Sequence, residues 1–211
     1  SRHSISDQLA FHQQHNADVT LHLIKVDDAR AFGCVPIDSE GRVTAFLEKM
    51  ENPISNLINA GCYIFNRQII DKIPQDKVVS VERDTFPNLL ANNAKVFGYL
   101  DNSYWLDIGT PAALVKASAD LITGVINSSA TQKHAGDNLI SPSAQIGSGS
   151  LINNGSVIES EVVVESNCQI SGSIIGSGAK IGSNCKIIDS IIAPGAQIEA
   201  GMVVLTNYLG F

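Results

Sequence analysis

The sequence predicts two parts: an α/β portion over residues 1–127 and a parallel β-helix over residues 128–211. Three observations lead there. Strand-like and helix-like segments alternate in the first part, the pattern of an α/β domain. In the second part an Ile or Val recurs every six residues. Aromatic residues disappear after Tyr104 and Trp105 and return only at Tyr208.

The elements of the first part follow in order. ISDQLAFHQQH (5–15) is helix-like, and DVTLHLIKV (18–26) alternates as a strand does. VTAFLE (43–48) and INAGCYIF (58–65) are further strands. Ser80 can cap a helix running to about Asn92, with Glu82 in its first turn. KVFGYL (95–100) and SYWLDI (103–108) read as strands. Thr110, Pro111 and Gly124 cap, open and close a helix over TPAALVKASADLITG. The segment NSSATQKHAGDN has the composition of a crossing linker.

In the second part the repeat runs through Ile140, Ile146, Ile152, Ile158, Val164 and Ile170. It steps by five to Ile175, continues to Ile181 and Ile187, steps by five to Ile192, and ends at Ile198 and Val204. Small residues follow at four-residue spacing, among them Ala144, Ser150, Ser156, Cys168, Ala179, Cys185 and Ala196. Three hexads make one triangular coil, so the segment forms about four coils. One aliphatic side chain per face points inward, small residues fit the corners, and glycine permits the tight turn. Cys168 and Cys185 should stack in adjacent coils. A two-sheet antiparallel meander gives no reason for so regular a spacing. The pattern resembles the hexapeptide repeat of left-handed β-helices, and that resemblance implies a left hand. Many such proteins are acyltransferases with a coil histidine as general base. No histidine follows His134, which argues against acyl transfer and leaves contacts between copies and packing against the first part as the roles of the coils.

Composition removes other classes. Net charge is −7 and no basic run occurs, which excludes a phosphate-backbone reader of nucleic acid. Apolar runs are short, as at Val162–Val164, so no membrane span is expected. The polar start SRHSISDQ is not a signal peptide, and it reads as the middle of a helix-bearing segment. Cys34, Cys62, Cys168 and Cys185 form no CxxC or Cys/His cluster, so zinc is not expected. They read as reduced, small apolar residues of a cytoplasmic protein. His3, His12, His15 and His22 lack metal spacing.

Five motifs occur in order: FGCVPID (32–38), GRVTAFLEKM (41–50), INAGCYIF (58–65), VERDTFPNLL (81–90) and YWLDIGTP (104–111). The series resembles the second half of the nucleotidylyltransferases that join a sugar 1-phosphate to a nucleoside triphosphate, above all bacterial mannose-1-phosphate guanylyltransferases of the actinobacterial type. The likeness covers most of residues 1–125, and a β-helix tail also occurs in that family.

The resemblance implies residue roles. Gly33 matches a glycine whose backbone lies against the sugar. Glu48 matches the carboxylate that accepts sugar hydroxyls, and Lys49 the lysine facing the sugar phosphate. Asn59, Ala60 and Gly61 match the lining of the sugar site. Asp107 matches a ligand of the divalent metal, Mg²⁺, flanked by Trp105 and Gly109. The chemistry is coherent. A carboxylate can accept two hydroxyls, a lysine is a point charge for phosphate, and magnesium takes one or two carboxylates with phosphate and water oxygens. Taken singly, a Glu-Lys pair at a strand end is a solvated surface, and an Asp before Ile-Gly-Thr-Pro is a turn residue. The ordered series is what lifts them above that reading.

The family's glycine-rich triphosphate loop is not in the sequence and would lie upstream of Ser1. Either the chain is a fragment or a second polypeptide supplies that loop, and alone it should not catalyse transfer. The implied reaction joins GTP and mannose 1-phosphate with release of pyrophosphate. Glucose-1-phosphate nucleotidylyl transfer and a non-catalytic regulatory subunit of the same architecture are the alternatives.

Overall fold

A computed structural model describes residues 3–47, 51–127 and 136–210. These residues form two compact units, divided between Trp105 and Leu106.

The first unit is built on a three-stranded sheet of order β2-β1-β3. Its strands are β1 (Val19–Lys25), β2 (Leu57–Phe65) and β3 (Val96–Asp101). β1 pairs antiparallel with β2 and parallel with β3. As the central strand it is covered on both faces. Val19, Leu21 and Leu23 enter a core with Val35, Val43, Phe86 and Val96. Phe86 is wholly buried at its centre, against Phe46, Tyr63 and Phe65. It opens α3 (Phe86–Ala91), which continues a π-helical turn (Val81–Thr85) capped by Ser80, whose hydroxyl accepts the Arg83 N–H.

The opposite face of β1 carries Thr20 and His22, which are also buried. Alternation alone would place them in solvent. Helix α1 (Ile5–Gln14), capped by Ser4, covers them with polar side chains. Gln8 donates to the carbonyls of Thr20 and Cys62, and a ring nitrogen of His12 lies 2.8 Å from the Thr20 hydroxyl. Thr20, Gln8 and His12 thereby find partners, the condition for burying them cheaply.

Two expected strands differ. SYWLDI forms no strand, because Asp101 turns the chain by accepting the Ser103 N–H, ending the ladder of β3. Among the described residues of VTAFLE only single bridges form, Val43 with Ile37 and Leu47 with Cys34. A short helix α2 (Arg67–Ile70) follows β2.

The second unit contains α4 (Pro111–Ile122) and a parallel β-helix. Thr110, Pro111 and Gly124 punctuate α4 as the sequence suggests: the Thr110 hydroxyl accepts the Ala113 N–H, and Gly124 takes φ +78°. The β-helix has three faces. The first holds β4 (Asn138–Ile140), β7 (Ser156–Ile158), β10 (Ile174–Ile175), β13 (Ile191–Ile192) and β16 (Tyr208–Leu209); the second β5 (Gln145–Ile146), β8 (Val163–Val164), β11 (Lys180–Ile181) and β14 (Gln197–Ile198); the third β6 (Leu151–Asn153), β9 (Gln169–Ser171), β12 (Lys186–Ile188) and β15 (Val203–Leu205). These strands begin at Asn138–Ile140 and end at Tyr208–Leu209. The six-residue repeat maps onto three in-register columns. Ile140, Ile158, Ile175, Ile192 and Leu209 stack on the first face. Ile146, Val164, Ile181 and Ile198 stack on the second. Ile152, Ile170, Ile187 and Val204 stack on the third. Cys168 and Cys185 are buried one coil apart, with Gln169 N–H donating to the Cys185 carbonyl.

The glycines after the aliphatic positions serve close coil approach and not the turn. A Cβ on Gly147 would lie 2.4 Å from Glu165 backbone, and one on Gly176 would lie 2.6 Å from Pro194 backbone. The left-handed turn positions come two residues later, at Gly149 and Gly178, with Asn167 and Asn184 as counterparts.

One corner, which steps by five in the later coils, holds a serine ladder. Ser156, Ser173 and Ser190 are buried. Each hydroxyl accepts an N–H from the next coil, from Ser173, Ser190 and Asn207 in turn. Each also donates to a carbonyl of its own corner.

The outward residues explain where α4 sits. On the first face they are Leu139, Val157, Ile174, Ile191 and Tyr208, an apolar stripe. On the second face they are Gln145, Val163, Lys180 and Gln197. Helix α4 lies along the apolar face. A Cβ on Gly155 would lie 2.5 Å from Ala119 of α4, while Pro111 and Val115 share a groove of about 310 Å³ with Ile191 and Tyr208.

Replacing Ser173 by Ala leaves the buried Ser190 N–H unpaired. Urea unfolding should show a loss of about 1–3 kcal/mol. Ser183→Ala, which removes a contact to the exposed Glu165 carboxylate, should cost clearly less, because water replaces the lost partner. Equal losses would contradict the ladder's role.

Candidate sugar-binding site

The first unit gathers several of the residues singled out by the motifs. Gly33, Cys34 and Val35 run beside β2: the Asn59 N–H donates to the Gly33 carbonyl, and the Val35 N–H to that of Leu57. Cys34 exchanges two hydrogen bonds with Leu47. Glu48 and Lys49, which follow Leu47, lie outside the described residues.

β2 carries a bulge. Tyr63 faces Leu21 and Asn59 faces Leu23, so three residues, Ala60 to Cys62, stand against His22 alone. Gly61 takes φ +83° there and is exposed, with no atom within 4 Å of where a Cβ would be. Only backbone faces that space, which lets a ligand approach closely. Trp105 closes one side. Its indole N–H donates to the Ala60 carbonyl at 3.2 Å, and its ring packs edge-on against Phe32 at 5.9 Å.

Asn59 is turned into the framework. Its amide nitrogen donates to the Tyr63 hydroxyl at 2.6 Å and to Glu82 at 2.7 Å. Its oxygen accepts the Gly61 N–H at 3.0 Å. Burial pushes the Tyr63 phenol up; the bond from Asn59 works the other way, and the nearby Glu82 charge adds to the rise. Tyr63 and Glu82 were not singled out by the sequence, where Glu82 reads only as a charge in a first helical turn.

Opposite the bulge, His22 is buried. Its Nε2 lies 3.3 Å from the Asp101 carboxylate, but without hydrogen-bond alignment. Its ring stacks on His3 at 4.0 Å. Burial holds its pKa below the usual imidazole value, His3 pushes the same way, and Asp101 opposes. A cleft of about 750 Å³ between α2 and α3, lined by Ile69, Lys72, Lys77 and Leu89 among others, takes in part of the VERDTFPNLL motif but none of Gly33, Asn59, Ala60, Gly61, Trp105 and Asp107.

Asp107 falls in the second unit. It is exposed, and one carboxylate oxygen accepts the Gly109 N–H at 3.1 Å. Among the described residues no group of three or more His, Cys, Asp or Glu side chains could hold a metal ion.

Comparison with known proteins bears on what this arrangement does. The model of the nucleotidyl transferase family matches residues 1–124. The chain belongs to the nucleotidyl transferase family. A second model, the GMPPB C-terminal domain, matches residues 134–208. The nucleotidyl transferase match thus runs through α4, although α4 packs with the coils. A mannose-1-phosphate guanylyltransferase of Mycobacterium tuberculosis is 51% identical over 155 residues, which are 73% of this chain and 43% of that protein. A probable mannose-1-phosphate guanylyltransferase 3 of Oryza sativa subsp. japonica is 32% identical over 184 residues, 81% of this chain and 48% of that protein. Mannose-1-phosphate guanylyltransferase 1 of Arabidopsis thaliana is 29% identical over 177 residues, with the same coverage. This nucleotidyl transferase chain spans a little under half the length of these relatives. Among its described residues no helix is long and apolar enough to cross a membrane.

The bulge and its histidine give a pH dependence. An imidazole in an unfolded chain titrates near 6.5, whereas buried His22 resists protonation. The unfolded state therefore binds more protons as pH falls, and stability drops with it. Urea midpoints followed by fluorescence of Trp105 should decrease from pH 7.5 to pH 5.5, and His22→Leu should flatten the change. An unchanged slope in that variant would show that His22 is not its source.

Proposed function

We propose that the chain serves guanylyl transfer from GTP to mannose 1-phosphate, giving GDP-mannose and pyrophosphate, and that its first unit is the sugar side of that site. The observation that carries this reading is the convergence of Gly33, Ala60, Gly61 and Trp105 around an exposed, side-chain-free stretch of backbone. The names of the relatives supply the sugar and the base.

In this reading a phosphate oxygen of the sugar phosphate attacks the α-phosphorus of GTP. The bond between the α-phosphorus and the bridging oxygen breaks, and pyrophosphate leaves with that oxygen. Such transfers depend on positioning and charge neutralisation. The bulge backbone holds the sugar ring, Glu48 accepts its hydroxyls, and Lys49 faces its phosphate. Asp107 fits as a protein ligand for Mg²⁺: its carboxylate is exposed and oriented by the Gly109 N–H, and this ion takes one or two carboxylates with phosphate and water oxygens. The ion, when bound, would neutralise phosphate charge.

We also place the protein in the cytoplasm, which its four free cysteines support, and assign self-association to the β-helix, where Leu151, Val203 and Leu205 are exposed and apolar.

The test uses these residues together with a triphosphate-binding segment. Asp107→Ala should lower Mg²⁺-dependent pyrophosphate release by about 100-fold or more. Glu48→Ala should raise KM for mannose 1-phosphate by about tenfold or more. Full activity in Asp107→Ala would remove it from the metal site. A higher kcat/KM with glucose 1-phosphate than with mannose 1-phosphate would overturn the sugar assignment.

A further inference from the structure

The contacts around Asn59 leave little freedom. Its amide has two N–H groups, and the partners found for that nitrogen are the Tyr63 oxygen and Glu82. Its oxygen is committed to the Gly61 N–H. The two ends of a carboxamide cannot be exchanged here without setting an N–H against an N–H and the oxygen against a carboxylate. Glu82, in the π-helical turn, thereby determines which way the Asn59 amide points. That orientation presents an acceptor to Gly61, the residue held at φ +83° in the bulge. Two elements distant in sequence are joined through one amide, 23 residues from Asn59 to Glu82.

We propose that Glu82 and Tyr63 are positioning residues for the sugar site: they act through Asn59 to hold the Ala60–Gly61 backbone in the shape that receives the sugar. This rests on the reading of that backbone as the sugar side of the site. It assigns Asn59 a role different from direct contact, because its nitrogen is directed at Tyr63 and Glu82. The arrangement also explains the left-handed Gly61. A three-against-one bulge leaves backbone groups outside the ladder, and the Asn59 oxygen takes one of them.

The experiment exchanges donor and acceptor. Asn59→Asp sets a second carboxylate against Glu82, at a position where the native contact is 2.7 Å. Glu82→Gln supplies an amide in place of the carboxylate. The double variant restores one donor and one acceptor between the two positions, with the Gly61 N–H still met by a side-chain oxygen. The probes are mannose 1-phosphate, titrated into the 211-residue chain, and the chemical shift and hydrogen exchange of the Gly61 amide. Asn59→Asp should bind about tenfold or more weakly and expose the Gly61 amide to exchange. The double variant should return to within about threefold of the unsubstituted chain and recover the amide's protection. Glu82→Ala should weaken binding and loosen the same amide, and it is the check if Asn59→Asp fails to fold. If Asn59→Asp binds as the unsubstituted chain does, or the double variant is no better than Asn59→Asp, the positioning role is wrong. If the unsubstituted chain shows no saturable binding, the sugar-site reading itself fails and the role of Glu82 falls with it. In that case the Gly61 amide would still report whether Glu82 shapes the bulge.

Discussion

A strand that sets three residues against one cannot keep all its backbone groups in the ladder. At the β2 bulge, something outside the sheet must take up what the sheet leaves over. Asn59 accepts the Gly61 N–H and Trp105 donates to the Ala60 carbonyl. The rest of the first unit is arranged around these two bonds. Tyr63 and Glu82 fix the Asn59 amide, Phe86 anchors the helical turn that carries Glu82, and Phe32 supports the Trp105 ring. Bare backbone at Gly61 is the outcome, and it is the feature that makes a sugar ligand chemically sensible there.

The second unit solves a different problem with repetition. Stacked aliphatic columns fill a narrow triangular core, and the serine ladder satisfies corners where the chain steps by five residues. Only one outer face is apolar along its whole length, and α4 packs on it, leaving Leu139 and Tyr208 at its ends exposed. This is why α4 belongs to the nucleotidyl transferase match by sequence and to the coils by packing.

Much of this was legible in the residues. The columns follow from the spacing of Ile and Val, because each inward position recurs with the coil. The caps of α4 followed from Thr110, Pro111 and Gly124. What was not legible depends on contacts across distance. Thr20 and His22 look solvent-facing until Gln8 and His12 of α1 reach Thr20 and His3 stacks on His22. SYWLDI has strand composition, but the turn at Asp101–Ser103 denies it a partner. The link from Glu82 to Asn59 has no local signature, because neither residue's neighbours reveal that an amide and a carboxylate will meet. The apolar stripe under α4 was present in the sequence as Leu139, Val157, Ile174, Ile191 and Tyr208. It is hidden there by the stronger signal of the inward positions beside it.

The central claim is that the first unit presents the sugar side of a nucleotidyl transfer site at the β2 bulge. Mapping of backbone and indole N–H resonances during titration with mannose 1-phosphate tests it most directly. The account predicts shifts concentrated at Gly33, Ala60, Gly61 and the Trp105 indole. Shifts confined to the cleft between α2 and α3, or to the coils of the β-helix, would contradict it.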